Sequence, residues 1–294
     1  MITRNHLAAC LSALLPALAL AQAASSSATA NDGPNTWAGL GTVKNWQTSV
    51  AKANDGRETP FIWAAPEGKG PCPAIVWFHG APADIGEQGE HAEADRGRFD
   101  LFLKAGFVVC IGDYRGEPAV PPAISGVDDA VAILRQVKSL PAVDPKRVVI
   151  IGHSLGGATT YIAATHEPVA AMVVSAGAAY ALLGMPMGSL RGQSPGGELP
   201  PDRYNKALAL EVLGKITAPT LIFYGEADPL SRANKTIYDL MRELKKNVTL
   251  RTFPDEHHGM LWRPNDRERG LRAWTTMVDF VSAALQTSAT QPGS

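Results

Sequence analysis

The sequence has almost no excess of charge of either sign: 27 Lys and Arg balance 28 Asp and Glu across 294 residues. A basic field for a nucleic-acid backbone or an anionic membrane surface is therefore absent, and a small, neutral molecule is the expected partner. Cysteine is scarce as well, with three in all. Cys72 precedes the strand-like run Ala74–Phe78 and Cys110 lies inside Phe107–Gly112; in adjacent parallel strands that offset would separate them by about 15 Å, beyond disulfide reach, so both are expected as packed thiols. No internal repeat is present, and no G-x-G-x-x-G turn of a dinucleotide-binding fold surrounds the Gly152–Gly157 segment. No cofactor or metal is implied.

One apolar run stands near the N-terminus, Leu7 to Ala21, and it is too short and too soon followed by polar residues to persist as a membrane span. Arg4 precedes it, and Gln22 with a Ser/Ala-rich stretch follows, which is the pattern of a secretory signal peptide with small residues at Ala19 and Ala21, or Ala21 and Ala23, for cleavage. Leu7-Ala8-Ala9-Cys10 has the letters of a lipoprotein box but precedes the apolar region, so lipidation is not expected. The expected organisation is a signal peptide over 1–23, a flexible lead-in over 24–36, one domain over 37–286 and a disordered tail over 287–294. A secreted or periplasmic protein follows, without stable membrane insertion.

What the chain does have is enough apolar residues, 45%, for one large core. Runs at Ala74–Phe78, Phe107–Gly112, Arg147–Ile151, Val169–Ser175, Thr220–Tyr224 and Val248–Phe253 read as strands, and their continuous apolarity predicts burial on both faces. Helix-like segments alternate with them, near Glu93–Ala105, Val127–Ser139, Leu155–His166, Ser231–Lys245 and Asp266–Leu285. That order predicts an α/β fold, a mostly parallel central sheet covered by helices on both faces. Residues 178–214, rich in Met, Gly and Pro, read as a short lid insertion over the carboxyl edge of the sheet, where ligands bind in such folds.

Acyl transfer at neutral pH requires an exposed hydroxyl, a base, a group to orient the base, and donors for the oxyanion. Gly152-His153-Ser154-Leu155-Gly156 fits G-x-S-x-G, the strand-to-helix turn that exposes a serine oxygen, and a strand-like run leads directly into it. Gly192-Gln193-Ser194-Pro195-Gly196 has the same letters but no preceding strand, and Pro195 lacks the N–H an oxyanion site uses, so it reads as a loop. His79-Gly80-Ala81-Pro82 ends the first central strand, where the Ala81 amide would join that of Leu155 in an oxyanion site; His79 itself reads better as a buried residue tying down its loop. Asp228 is the preferred acid, with Glu226 the competitor. His258 and His257 offer the base on a loop after the last strand.

The order Ser154, Asp228, His258 resembles the α/β-hydrolase superfamily, and His79-Gly80-Ala81-Pro82, Asp113-Tyr114-Arg115-Gly116 and Glu256-His257-His258-Gly259-Met260 resemble its prolyl-oligopeptidase and dienelactone-hydrolase-like branch. The resemblance implies that the histidine directly before glycine, His258, is the base. Dienelactone hydrolases carry cysteine where Ser154 stands, and prolyl oligopeptidases carry a propeller for which this length leaves no room. The acidic stretch Asp84, Glu87, Glu90, His91, Glu93 and Asp95 matches no metal loop and reads as a solvated loop. Tyr180, Leu182, Met185 and Met187 are candidates both for lid packing and for contact with the acyl group. The expected activity is hydrolysis of carboxylic esters through an acyl-enzyme; the alternatives are an exopeptidase or amidase, and a catalytically silent binding module.

Overall fold

A computed structural model describes residues 43–290, apart from 69, 116–124, 187, 191–192 and 263–266. The expected signal peptide, the lead-in, Met187 and the last four residues lie outside the described residues.

Eight strands form one sheet: β1 (Gln47–Lys52), β2 (Glu58–Ala64), β3 (Cys72–Phe78), β4 (Val108–Gly112), β5 (Val143–His153), β6 (Ala171–Ser175), β7 (Thr220–Gly225) and β8 (Val248–Phe253). Their order across the sheet is β1-β2-β4-β3-β5-β6-β7-β8. β1 and β2 run antiparallel, β2 runs antiparallel to β4, and every other pairing is parallel. Side chains of β3 alternate between two cores. Ala74, Val76 and Phe78 pack with helices α3 (Ser125–Ser139), α4 (Leu155–His166), α5 (Lys206–Gly214) and α6 (Ser231–Glu243) on one face. Ile75 and Trp77 pack on the other, with α1 (Gly86–Arg96), α2 (Asp100–Lys104) and α7 (Arg267–Thr290). Two buried faces remove the polar alternation of a half-solvated strand, which is why the central strands are apolar throughout. The protein has the α/β-hydrolase fold.

The register fixes where function can sit. Phe78 pairs with both Gly112 and Gly152, Gly152 with Val174, Ser175 with Phe223, and Gly225 with Phe253. The carboxyl ends of β3 to β8 therefore finish together, and the turns that follow them share one edge.

Three local readings change. The hairpin β1–β2 was not expected. The segment read as a helix over Glu93–Ala105 is two helices broken at Gly97, where a Cβ would lie 2.3 Å from the Phe99 ring and 3.0 Å from Trp274, so the chain turns there to let both aromatics close the core. The acidic stretch is largely α1 rather than a solvated loop: Glu90 is 0% and Glu93 7% exposed. Cys72 and Cys110 are free thiols, and Cys110 pairs across the sheet with Val76, four residues from Cys72. Among the described residues no helix is long and apolar enough to cross a membrane.

Candidate active site

β5 delivers the chain to Ser154, whose φ of 52° and ψ of −114° are a conformation that residues with a Cβ seldom adopt. Surrounding bonds hold it there. The Ser154 amide donates to the Ser175 carbonyl at 2.9 Å, and the Ser154 carbonyl accepts from Ala178 at 2.7 Å and from Gly157 at 3.1 Å. A Cβ on Gly156 would fall 2.1 Å from the Phe78 carbonyl oxygen, so only glycine lets α4 start against the turn after β3. The Gly156 amide uses that closeness to donate to the His79 carbonyl at 3.1 Å.

On one flank of Ser154 stand a histidine and a carboxylate. His258 Nδ1 lies 2.9 Å from Asp228 Oδ2, and His258 Nε2 lies 2.8 Å from Ser154 Oγ. A carboxylate only accepts, so the proton of the neutral ring sits on Nδ1, and the Nε2 lone pair faces the serine hydroxyl. Asp228 is fully buried, and its Oδ1 accepts the Leu230 amide at 2.8 Å, so the carboxylate both ties the turn before the next helix and aims the imidazole. The turns after β7 and β8 are pressed together: the Ala227 amide donates to the Glu256 carbonyl at 2.9 Å, and a Cβ on Gly225 would meet that same oxygen at 2.1 Å. The competing residues are elsewhere. Glu226 is exposed and accepts from Thr252 Oγ1 at 2.7 Å, and His257 is exposed. Ser194 is exposed on its loop.

On the other flank lies the turn His79-Gly80-Ala81. A Cβ at Gly80 would sit 3.3 Å from Ser154 Cβ, so this turn passes directly beside the serine. Among the described residues neither the Ala81 nor the Leu155 amide donates to a protein acceptor. His79 is 2% exposed; its Nδ1 donates to the Gly80 carbonyl at 2.6 Å, and its ring stacks on Tyr114 at 4.9 Å. It ties down its own loop and makes no hydrogen bond to Ser154.

His153 was not singled out in the sequence, being only the variable residue before the serine. Its Nδ1 lies 3.1 Å from Ser175 Oγ, and the ring packs on Trp262 at 4.5 Å and on His258 at 5.0 Å. Burial, and then the proximity of His258, hold its pKa well below the usual histidine range. It therefore stays neutral.

Of the insertion residues, Tyr180 is 7%, Leu182 1% and Met185 5% exposed, all within the larger core cluster. They pack the insertion down. No cluster of three or more His, Cys, Asp or Glu suited to a metal occurs among the described residues.

A model of the prolyl oligopeptidase family matches residues 122–288, more than half of the 294 residues. The chain belongs to the prolyl oligopeptidase family. It is a serine hydrolase with the α/β-hydrolase fold, and the matched stretch spans Ser154, Asp228 and His258. Solved structures agree on the fold. A hyperthermophilic esterase from the archaeon Pyrobaculum calidifontis superposes with a TM-score of 0.66 at 19% identity, over 83% of this chain and 85% of that one. EstE1, a thermostable carboxylesterase cloned from a metagenomic library, gives 0.61 at 21% identity, over 85% and 90%. The Pyrococcus horikoshii acylaminoacyl peptidase gives 0.59 at 18% identity, over 81% of this chain but 41% of its own.

Proposed function

We propose that this family member is an exported carboxylic-ester hydrolase working through an acyl-enzyme on Ser154. The observation that carries the reading is the unbroken chain from Asp228 through His258 to Ser154 Oγ, with spacings of 2.9 and 2.8 Å. Ser154 Oγ attacks the ester carbonyl while His258 Nε2 takes its proton, and Asp228 stabilises the imidazolium that forms. The carbonyl oxygen becomes an oxyanion that the Ala81 and Leu155 amides are free to meet. Collapse of that intermediate expels the alcohol, which takes the proton back from His258; water then attacks the acyl-enzyme by the same path and frees the acid. The N-terminal pattern over 1–23 supports export.

The inward packing of Tyr180, Leu182 and Met185 leaves short acyl groups as the expected substrates. A second reading, cleavage of an amide at a peptide terminus, is favoured by the family itself and by the fold shared with an acylaminoacyl peptidase. A fluorophosphonate probe is expected to label Ser154 and nothing at Ser194. Across acetyl, butyryl, octanoyl and palmitoyl aryl esters, kcat/KM is expected to peak at acetyl or butyryl and decline gradually. Faster cleavage of aminoacyl anilides than of any ester would establish the second reading, and a maximum at palmitoyl would overturn the preference for short acyl groups.

A further inference from the structure

The turn after β3 is fixed by the turn after β4. The Tyr114 hydroxyl donates to the His79 carbonyl at 2.6 Å, the oxygen that also receives the Gly156 amide at 3.1 Å. Farther along the same loop, the Asp84 amide donates to the Tyr114 carbonyl at 2.9 Å, while the Ile85 and Gly86 amides donate to the Asp113 carboxylate at 2.9 Å each. That carboxylate also accepts the Tyr114 amide at 2.8 Å and faces His79 Nε2 at 3.5 Å. Asp113 and Tyr114, each 1% exposed, thus grip both ends of the segment 79–86.

We propose that Tyr114 is a positioning residue for transition-state stabilisation: its phenol fixes the His79–Gly80 peptide and so aims the Ala81 amide at the oxyanion. This rests on the reading of Ser154 as nucleophile with Ala81 as an oxyanion donor. The ring is held rigidly enough for the task, stacked on His79 and edge-on to Phe78 at 5.8 Å. Burial, with the nearby Asp113 and Glu93, pushes the phenol well above its usual pKa, so the hydroxyl remains a donor across the working range. Without the phenol the Gly156 amide alone would hold the His79 carbonyl, and the peptide that leads to Ala81 would be held less firmly. A donor set aside from its place weakens binding where negative charge develops and leaves the uncharged ester almost untouched.

The test is Tyr114→Phe, which keeps both ring contacts and removes one hydrogen bond. The expected result is a fall in kcat of about tenfold with KM unchanged, matched by a similar loss in affinity for a trifluoromethyl ketone that mimics the tetrahedral oxyanion. A smaller loss with the same kcat-only signature is expected from Asp113→Asn, which also serves if the phenylalanine variant fails to fold. Fluorophosphonate labelling of the unaltered protein separates the two levels: no label at Ser154 sinks the nucleophile reading. Label at Ser154 together with wild-type kcat in both variants, or a rise in KM with unchanged affinity for the ketone, overturns the role of Tyr114.

Discussion

The two flanks of Ser154 are built on opposite plans. The flank proposed to supply the oxyanion donors is a loop held by a neighbouring loop, and the groups that hold it or support the strand before it, Asp113, Tyr114, Glu90 and Glu93, are all buried. Glu90 Oε1 accepts the Asp113 amide at 2.9 Å, and Glu93 Oε1 accepts the Trp77 indole at 3.0 Å. The flank proposed to carry the acid and base has one buried anchor, Asp228, and His258, whose side chain is 39% exposed. The contrast follows from the chemistry. Oxyanion donors must be in place before charge appears and must not move when it does, whereas a base has to exchange its proton with alcohol and water. Rigidity on one side and access on the other are both needed around one oxygen atom.

Removing the proposed base, half-buried His258, should have the largest effect. His258→Ala is expected to lower kcat by about four to six orders of magnitude, as loss of a base does in other serine hydrolases. His257→Ala, at an exposed neighbour with no contact to Ser154, is expected to stay within about twofold of wild type, like other surface substitutions. If the two results were exchanged, the flank would have been assigned to the wrong side chain.

The buried anchor comes next. Asp228→Asn keeps the shape, but the amide has only one acceptor atom and can hold the imidazole in the wrong tautomer. A kcat loss of about three to four orders of magnitude with little change in KM is expected. Glu226→Gln keeps an oxygen for the exposed Thr252 hydroxyl and should leave kcat within about twofold. A large loss in Glu226→Gln with activity retained in Asp228→Asn would contradict the hydrogen-bond chain.

Much of the candidate acid–base flank was legible in the sequence, because Ser154, Asp228 and His258 each follow a strand within a few residues and the turn chemistry is local. Ser154 carries glycine at both close approaches, and Asp228 and His258 follow their strands in the expected order. The oxyanion flank was only half legible. Asp113-Tyr114 was visible as part of a resemblance with no task attached, since its bonds run to residues 79 to 86 and no periodicity encodes them. Glu90 and Glu93 were misread because a charged residue signals solvent; burial beneath the turn is a tertiary fact that overrides it. The β1–β2 hairpin was missed for a related reason: Gln47, Thr48 and Ser49 leave the edge strand β1 mostly polar, and Pro60 within β2 reads in the sequence as a signal against a strand. The broken helix was missed because the Phe99 and Trp274 rings that meet at Gly97 are far apart in sequence.

The smallest effect belongs to the oxyanion flank and concerns stability rather than rate. Burial first, and then the negative charge of Asp113, push Glu90 up to about 8, so the folded protein carries it protonated at neutral pH. Relative to an unfolded carboxyl near its ordinary value, the folded state binds the extra proton, and stability therefore falls as pH rises from about 4.5 to about 8. Glu93 is raised in the same direction, and His153, whose pKa is lowered, acts oppositely by favouring unfolding as pH drops below the histidine range. The slope of the wild type alone is thus a mixture, and the informative quantity is its difference from Glu90→Gln. The amide keeps an oxygen for the Asp113 amide but has no proton to lose, so the wild type should lose more unfolding free energy than the variant between pH 5 and 9, by a few kcal/mol at most. At the acid end the two proteins should be close, and at pH 9 the variant should be the more stable. Denaturant melts at four or five pH values across that range would decide it. Parallel slopes would mean that Glu90 ionises freely in the folded protein, and the oxyanion flank would then be no drier than the flank that carries His258.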